Sequence, residues 1–196
     1  MLAEARNSLG DEHPETLAAM LDLADCRWAQ GRLIAARALE ERVVAARRRQ
    51  LGEDHADTLR AIGKLAVTMA AQGELAQARL LQEELVTRRR GLGGVADPET
   101  LRAINNLAGT VAAQGDLAGA RELLQSVVAT ACRELGDEHA DSLTAMANLA
   151  AILWQEGDRD EAYALQQQIV ETQHRIRGDQ ATLAAVAVLQ MMERGF

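Results

Sequence analysis

Apolar residues recur along this chain at intervals of three and four positions, which is the spacing of one face of an α-helix. The first such series lies at about residues 15–29 and consists of Leu17, Met20, Leu23 and Ala24. A second series, at about residues 33–50, consists of Ala36, Leu39 and Val43. Gly31 lies between them and can adopt the left-handed conformation that ends a helix. The pattern therefore predicts two helices joined by a tight turn.

This pair of helices returns every 42 residues. The turn glycine, a leucine in the first helix and a small residue in the second helix all keep the same register. The recurring positions are Gly31, Gly73, Gly115 and Gly157; Leu23, Leu65, Leu107 and Leu149; and Ala36, Ala78, Ala120 and Ala162. Such a period indicates a stack of repeated helix pairs rather than one central core.

The repeats begin with an acidic loop and a residue that can cap a helix. The first loop reads GDEHPETL from residue 10, and similar loops begin at residues 52 and 136. His13 stands at the predicted N-cap, and Pro14 suits the first helical position. The third repeat opens differently, with GLGGVADPETL, which places Asp97 at the cap and displaces the Leu-Gly pair by one residue. We therefore expect a locally different loop there.

The repeats account for the whole chain, and we expect a single array. Residues 1–10 match the end of a truncated repeat, so we expect the chain to begin inside a longer array. The full repeats cover residues 11–52, 53–94, 95–136 and 137–178. Residues 179–196 restart a first helix from about residue 180, and this segment is expected to act as a C-terminal capping helix.

The recurring residues Leu23, Ala24, Gly31 and Ala36 resemble the signature of tetratricopeptide repeats. The usual period of that family is about 34 residues, and the additional residues here lie between Ala36 and the next repeat. Together with the LGDEHPETL junction, this resembles the kinesin-light-chain-like subclass and the bacterial arrays that follow nucleotide-binding switch domains. The resemblance implies an all-α fold, a right-handed superhelical solenoid of antiparallel helix pairs.

Composition and charge narrow the classes of partner. Of the 196 residues, 48% are hydrophobic but only 2% are aromatic, as suits a thin helical stack. The formal net charge of −8 disfavours binding to nucleic acid or to an anionic membrane. No signal peptide or membrane-spanning stretch is recognisable. The two cysteines, Cys26 and Cys132, are far apart, and we expect them to be buried, unpaired residues of a protein in the reducing cytoplasm.

No pattern of catalytic or metal-binding residues is recognisable in the sequence. It contains no glycine-rich phosphate loop, no zinc-binding helix with paired histidines and no nucleophile elbow. His13, His55 and His139 occupy equivalent junctions in different repeats, so we expect them to cap helices rather than to converge on one metal ion. We therefore predict that the protein is not an enzyme and needs no cofactor or metal.

In tetratricopeptide arrays the first helices line the concave groove, and the resemblance places a binding surface there. Positions two, six, nine and thirteen, counted from Leu17 and its equivalents, form one helix face, which we call the stripe. Within or beside the stripe lie the candidate peptide-binding residues Arg60, Lys64, Arg102, Asn105, Asn106 and Asn148. Asparagine amides can hold a peptide backbone, and arginines can pair with carboxylates. Alternatively, these residues are ordinary solvated positions.

The sequence thus predicts a non-catalytic scaffold that binds a protein or peptide segment, and the cations of the stripe favour an acidic one. We expect it to be part of a larger regulatory or sensor protein. A different class of function is also open, namely a structural module that self-associates through its terminal helices. The apolar residues of the last helix, which include Met191 and Met192, favour that alternative.

Overall fold

The computed structural model describes residues 2–177 and 183–193. These residues form helices without any strand, which confirms the all-α class and the helix pairs. The helices are α1 Leu2–Leu9, α2 Pro14–Ala29, α3 Leu33–Leu51, α4 Ala56–Ala71, α5 Leu75–Gly93, α6 Pro98–Ala113, α7 Leu117–Leu135, α8 Ala140–Glu156, α9 Arg159–Arg177 and α10 Leu183–Glu193. The expected start of the capping helix near residue 180 lies outside the described residues.

The chain divides into two compact units, unit 1 at Met1–Leu92 and unit 2 at Gly93–Phe196. In unit 1, α2 packs against α1 and α3, and α3 also packs against α4. In unit 2, α7 packs between α6 and α8, while α9 contacts both α8 and α10. The side-chain amide of Gln166 on α9 donates a hydrogen bond to the backbone carbonyl of Ala185 on α10 at 3.1 Å.

The predicted helix caps are confirmed. The imidazole Nδ1 of His13 accepts a hydrogen bond from the backbone N–H of Glu15, and equivalent bonds form at the other two histidine junctions. In the third repeat, Asp97 does the same with the backbone N–H of Thr100 at 2.9 Å. Each cap satisfies an amide that the first turn of a helix leaves without a partner.

The third junction differs less than its sequence suggests. Helix α5 ends at Gly93 despite the displaced Leu-Gly pair, and Gly94 then adopts a φ of +82°. Gly52, 42 residues earlier, has a φ of +88° after α3, so both glycines end their helices in the same way. The difference lies in residues 95–96, which form a bend, whereas residues 53–54 form a turn.

The core is built where each second helix contacts its neighbours. The recurring alanines of the second helices are fully buried: Ala36, Ala78, Ala120 and Ala162. One prediction for α3 is wrong, because Leu39 is only partly buried whereas the adjacent Glu40 is buried at 2% exposure. The buried face of α3 runs from Ala36 through Glu40 to Val43, four and then three residues apart, which leaves Leu39 at its edge.

The prediction of two buried cysteines is also wrong. Cys26 is exposed, because the buried face of α2 includes Met20 and Ala24 and leaves position 26 outside it. Cys132 is partly buried, and this burial together with the nearby Asp137 carboxylate raises the pKa of its thiol to about 11. Both thiols are unpaired. Among the described helices, none combines the length and the apolar character that a membrane span requires.

Candidate functional site

The stripe faces solvent in the first helices of both units. Arg60 on α4 and Arg102 on α6 each have 56% of their side chain exposed, and Lys64 on α4 has 34% exposed. The opposite faces of these helices are buried, at positions such as Leu59 and Leu101. An amphipathic helix that buries one face in its own unit leaves the other face available to a ligand.

The cations of unit 1 are already paired with carboxylates. The Lys64 ammonium donates hydrogen bonds to both oxygens of Asp25 on α2, at 2.6 and 2.8 Å. Arg60 donates to Asp57, three residues earlier on α4, at 2.6 Å. The acidic stripe of the first repeat and the basic stripe of the second therefore meet in one ion pair, that of Asp25 and Lys64, whereas Arg60 is paired within α4. Asp25 neutralises Lys64, so this face of unit 1 carries alternating charge and not a uniform positive charge.

A buried carboxylate lies close to the Lys64 ion pair. Glu40 of α3 accepts a hydrogen bond from the Thr68 hydroxyl of α4 at 3.0 Å, whereas its second carboxylate oxygen has no partner. Burial raises the pKa of Glu40 above its ordinary value, although the Thr68 hydrogen bond and the charge of Lys64 act in the opposite direction. Glu40 was not predicted to be buried, although its register was a signal, because Leu124 occupies the same position two repeats later and is a core residue.

In unit 2, Arg102 bridges two first helices. Its guanidinium contacts Glu99 of α6 at 2.7 Å and Asp141 of α8 at 3.5 Å. Both carboxylates belong to the first helical turns, where negative charge is favoured by the helix dipole. Arg102 is thus held over the start of α6 and α8 while half of its side chain remains accessible.

The asparagines of unit 2 occupy two different environments. Asn105 is buried, and its side-chain carbonyl accepts a hydrogen bond from the amide of Asn148 on α8 at 3.3 Å. Asn106 is exposed on the stripe of α6, and its backbone carbonyl accepts a bond from the Thr110 hydroxyl. Asn105 therefore orients the Asn148 amide, whereas Asn106 and Asn148 are the amides that a ligand can reach.

An apolar cleft of about 580 Å³ adjoins Asn148 in unit 2. It lies among α8, α9 and α10, and its walls include Leu143, Ala151, Ile169, Ile176 and Val188. Gln166 and Gln173 of α9 add polar groups to the lining. This cleft was not predicted from the sequence. The last helix is two residues out of register with the 42-residue period, so the equivalence of Val188 with the stripe position of Asn148 is seen only when positions are counted from Leu183. Within residues 2–177 and 183–193, no cluster of side chains is suited to hold a metal ion.

Comparisons with known proteins identify relatives of this architecture. Two family models described as tetratricopeptide repeat match the chain, one over residues 2–49 and 99–173 and the other over residues 58–99. No curated protein matches the sequence.

Solved structures match over almost the whole chain. Two crystal structures show a protein of Podosopora anserina that is assigned as a kinesin light chain with nearly identical TPR-like repeats. Each is 30% identical to this chain, and the match covers 91% of this chain and 84% of the other. The TM-score is 0.75 for the structure of a single-residue variant and 0.72 for the other structure. BtubC (BKLC) from P. vanneervenii is 18% identical, with a TM-score of 0.75 and coverage of 98% and 83%, and shows the shared fold.

Proposed function

Because the chain belongs to the tetratricopeptide repeat family, we propose that it is a non-catalytic scaffold that binds a segment of another protein on the stripes of its first helices. The observation that carries this proposal is the exposure of the stripe beside the apolar cleft. Accessible cations, accessible amides and an apolar cleft are the three kinds of group that an extended peptide requires. Members of this family are generally scaffolds rather than enzymes.

The ligand that fits best is a segment with carboxylates and an apolar side chain. A carboxylate of a ligand on unit 2 would exchange with Glu99 at Arg102, and a carboxylate bound on unit 1 would exchange with Asp25 at Lys64 or with Asp57 at Arg60. Such an exchange replaces one exposed ion pair by another and contributes only about 0–1 kcal/mol per site. The carboxylates therefore set the register of the ligand, and burial of its apolar side chain in the cleft supplies most of the affinity.

The amides of unit 2 would hold the backbone of the ligand. Asn148 stands between Asn105 and the cleft, so its side chain reaches a peptide whose apolar residue lies against Ile176 and Val188. Asn106 extends the same face along α6. We also propose that the array belongs to a larger regulatory or sensor protein, and the two unpaired cysteines fit the reducing cytoplasm.

The test is a selection from a display library of random peptides. It compares the wild type with a variant in which Arg60, Lys64 and Arg102 are all alanine. A control variant loses three second-helix arginines that are also paired with carboxylates, namely Arg37, Arg79 and Arg121. We expect the wild type and the control to select acidic or carboxylate-ended peptides with an apolar residue, and the stripe variant to lose them. If the stripe variant selects the same peptides with equal affinity, the proposed surface is wrong.

Self-association is the second candidate function, and the exposure of α10 favours it. Val188, which also lines the cleft, and Met191 are 42% and 57% exposed, so α10 presents apolar surface to solvent. In a stack of repeats, an exposed apolar face is a surface that a second array can cover.

A further inference from the structure

Of the four repeat junctions within residues 2–177, three contain an ion pair between the loop and the second helix of the same repeat. In the first junction, Glu12 pairs with Arg49 near the end of α3. In the second, Asp54 pairs with Arg88 of α5 at 2.7 Å, and in the fourth, Glu138 pairs with Arg175 of α9 at 2.9 Å. In each case the second acidic residue of the loop forms an ion pair with an arginine near the end of the second helix of the same repeat.

The third junction lacks this acid. Val95 and Ala96 stand where the other repeats have two acidic residues, so the loop has no carboxylate at the position of Glu138. The arginine that would receive it is nevertheless present: Arg133 of α7 occupies the register of Arg175, 42 residues earlier. Arg133 instead contacts the carboxylate of its own neighbour, Glu134, at 2.8 Å.

The third junction therefore contains an exposed arginine on α7 and an exposed apolar residue in the loop. The Arg133 side chain is 69% exposed, against 64% for the paired Arg175 and 61% for the paired Arg49, so all three arginines lie at the surface. The difference lies in the loop, where Val95 is 45% exposed. The third junction therefore has an arginine that pairs with its sequence neighbour Glu134, whereas the arginine of the fourth junction pairs with the loop.

We propose that the third junction is a docking site for an acidic segment of a partner protein. One carboxylate of the partner takes the place beside Arg133 that Glu138 takes beside Arg175, and an apolar side chain next to it packs on Val95. The internal repeats supply the argument for this occupant, because they show that a carboxylate fits this position in the same helical frame. The site lies at the end of α7 and in the loop before α6, and it includes none of the stripe positions.

The substitution Ala96→Glu provides the sharpest test, since it restores the acid that the fourth repeat carries at this position. It should fold as well as the wild type, because Glu12 and Glu138 occupy the same register. The restored carboxylate should occupy Arg133 and compete with the partner. Gln125→Glu is the matched control, because it adds one negative charge to an exposed position of α7 without supplying an acid to the junction.

The probe is a display library of random peptides, selected on the wild type and then measured against each variant by titration. We expect a set of acidic peptides whose affinity falls about 3–10-fold in Ala96→Glu and in Arg133→Ala, in keeping with one ion pair and one apolar contact. The same peptides should bind Gln125→Glu and the triple stripe variant as they bind the wild type. Circular dichroism verifies that every variant is equally helical.

Two outcomes would overturn this inference. In the first, Ala96→Glu binds every acidic peptide as well as the wild type does, or the peptides that bind it more weakly also bind the stripe variant more weakly. In the second, sedimentation shows that the wild type self-associates and Ala96→Glu does not, which makes the occupant a second copy of this chain. The proposed function is tested separately, since Ala96→Glu leaves the stripe unchanged and either site can fail alone.

Discussion

The substitution Glu40→Gln tests the electrostatics of the unit 1 core. Glu40 is 2% exposed, and one of its carboxylate oxygens has no hydrogen-bond partner. Glutamine has nearly the same shape and keeps an oxygen that can accept the hydrogen bond from Thr68. It is also the residue that repeats two and four carry in this register, at the buried positions Gln82 and Gln166. The substitution therefore removes a charge from the core without changing the packing.

The expected effect depends on pH, and its sign follows from the raised pKa of Glu40. A carboxyl whose folded-state pKa is raised binds its proton more tightly in the folded state than in the unfolded chain. Its contribution to the free energy of unfolding is complete below the ordinary value of 4.5 and is lost as the pH rises through the folded-state value. The wild type should therefore lose stability with rising pH in this window, and Glu40→Gln should not.

Glutamine also leaves a polar atom at the position of the unpartnered oxygen, so the gain comes from removing the charge, which makes a buried group without a partner more costly than a neutral one, and is about 1–3 kcal/mol. For a protein of this size, that corresponds to a melting temperature higher by about 2–12 °C in Glu40→Gln once Glu40 ionises. Thermal melts of both proteins across pH 4–9, followed by circular dichroism, measure the difference. Glu41→Gln is the control, because Glu41 is exposed and pairs with Arg37 on the surface, a contact worth about 0–1 kcal/mol.

One result would refute this reasoning. If the wild type gains stability relative to Glu40→Gln as the pH rises, then the ionised carboxylate is stabilised in place. The charge of Lys64 and the hydrogen bond from Thr68 would then outweigh the cost of burying the carboxylate, and the pKa of Glu40 would be lowered instead of raised. Glu41→Gln should lose stability with rising pH as the wild type does. If its melting temperature instead changes with pH as that of Glu40→Gln does, the effect arises from the net charge of the chain.

Three further predictions concern packing, thiols and assembly. Ala78→Leu overpacks a fully buried contact and should lower the free energy of unfolding by about 1–3 kcal/mol, whereas Ala38→Leu at an exposed position of α3 should change it little. Equal melting temperatures of the two variants would refute the predicted register. Mass spectrometry after thiol labelling should find Cys26 modified faster than Cys132 in the folded protein, and a disulfide between them would contradict the fold. Met191→Glu should shift any dimer toward monomer in sedimentation, and a wild type that is monomeric at high concentration rules out self-association.

The helices and their ends were predictable because the same residue types recur at equivalent positions of four repeats. A pattern that would be ambiguous in one segment is thereby seen four times. A glycine that returns in the same register four times marks a turn more reliably than a single glycine does. His13 and Asp97 were recognisable as caps from their position before each apolar series. The third junction showed the limit of this approach, because the displaced Leu-Gly pair predicted a different loop there, whereas Gly94 ends α5 as Gly52 ends α3 and only residues 95–96 differ.

The pairing of the stripe could be predicted only in part. Asp57 stands three residues before Arg60, which is a pattern of ion pairs within one helix and is visible in the sequence. Lys64 and Asp25 are 39 positions apart in the sequence and lie on different helices. Their contact therefore depends on how α2 and α4 pack in the fold. Glu40 was missed because charged residues are rarely buried, and only a comparison of the same register across repeats reveals it.

The most direct test of the central claim is to locate a bound peptide on the protein. The tightest peptide from the wild-type selection is made with a benzophenone side chain beside its apolar residue, cross-linked by light and mapped by mass spectrometry. The account predicts cross-links on the stripes of the first helices, in residues 60–71, 102–113 and 144–155, and on the cleft at Ile176 or Val188. Cross-links confined to the outer faces of the second helices, such as Arg37 and Arg79, would contradict it.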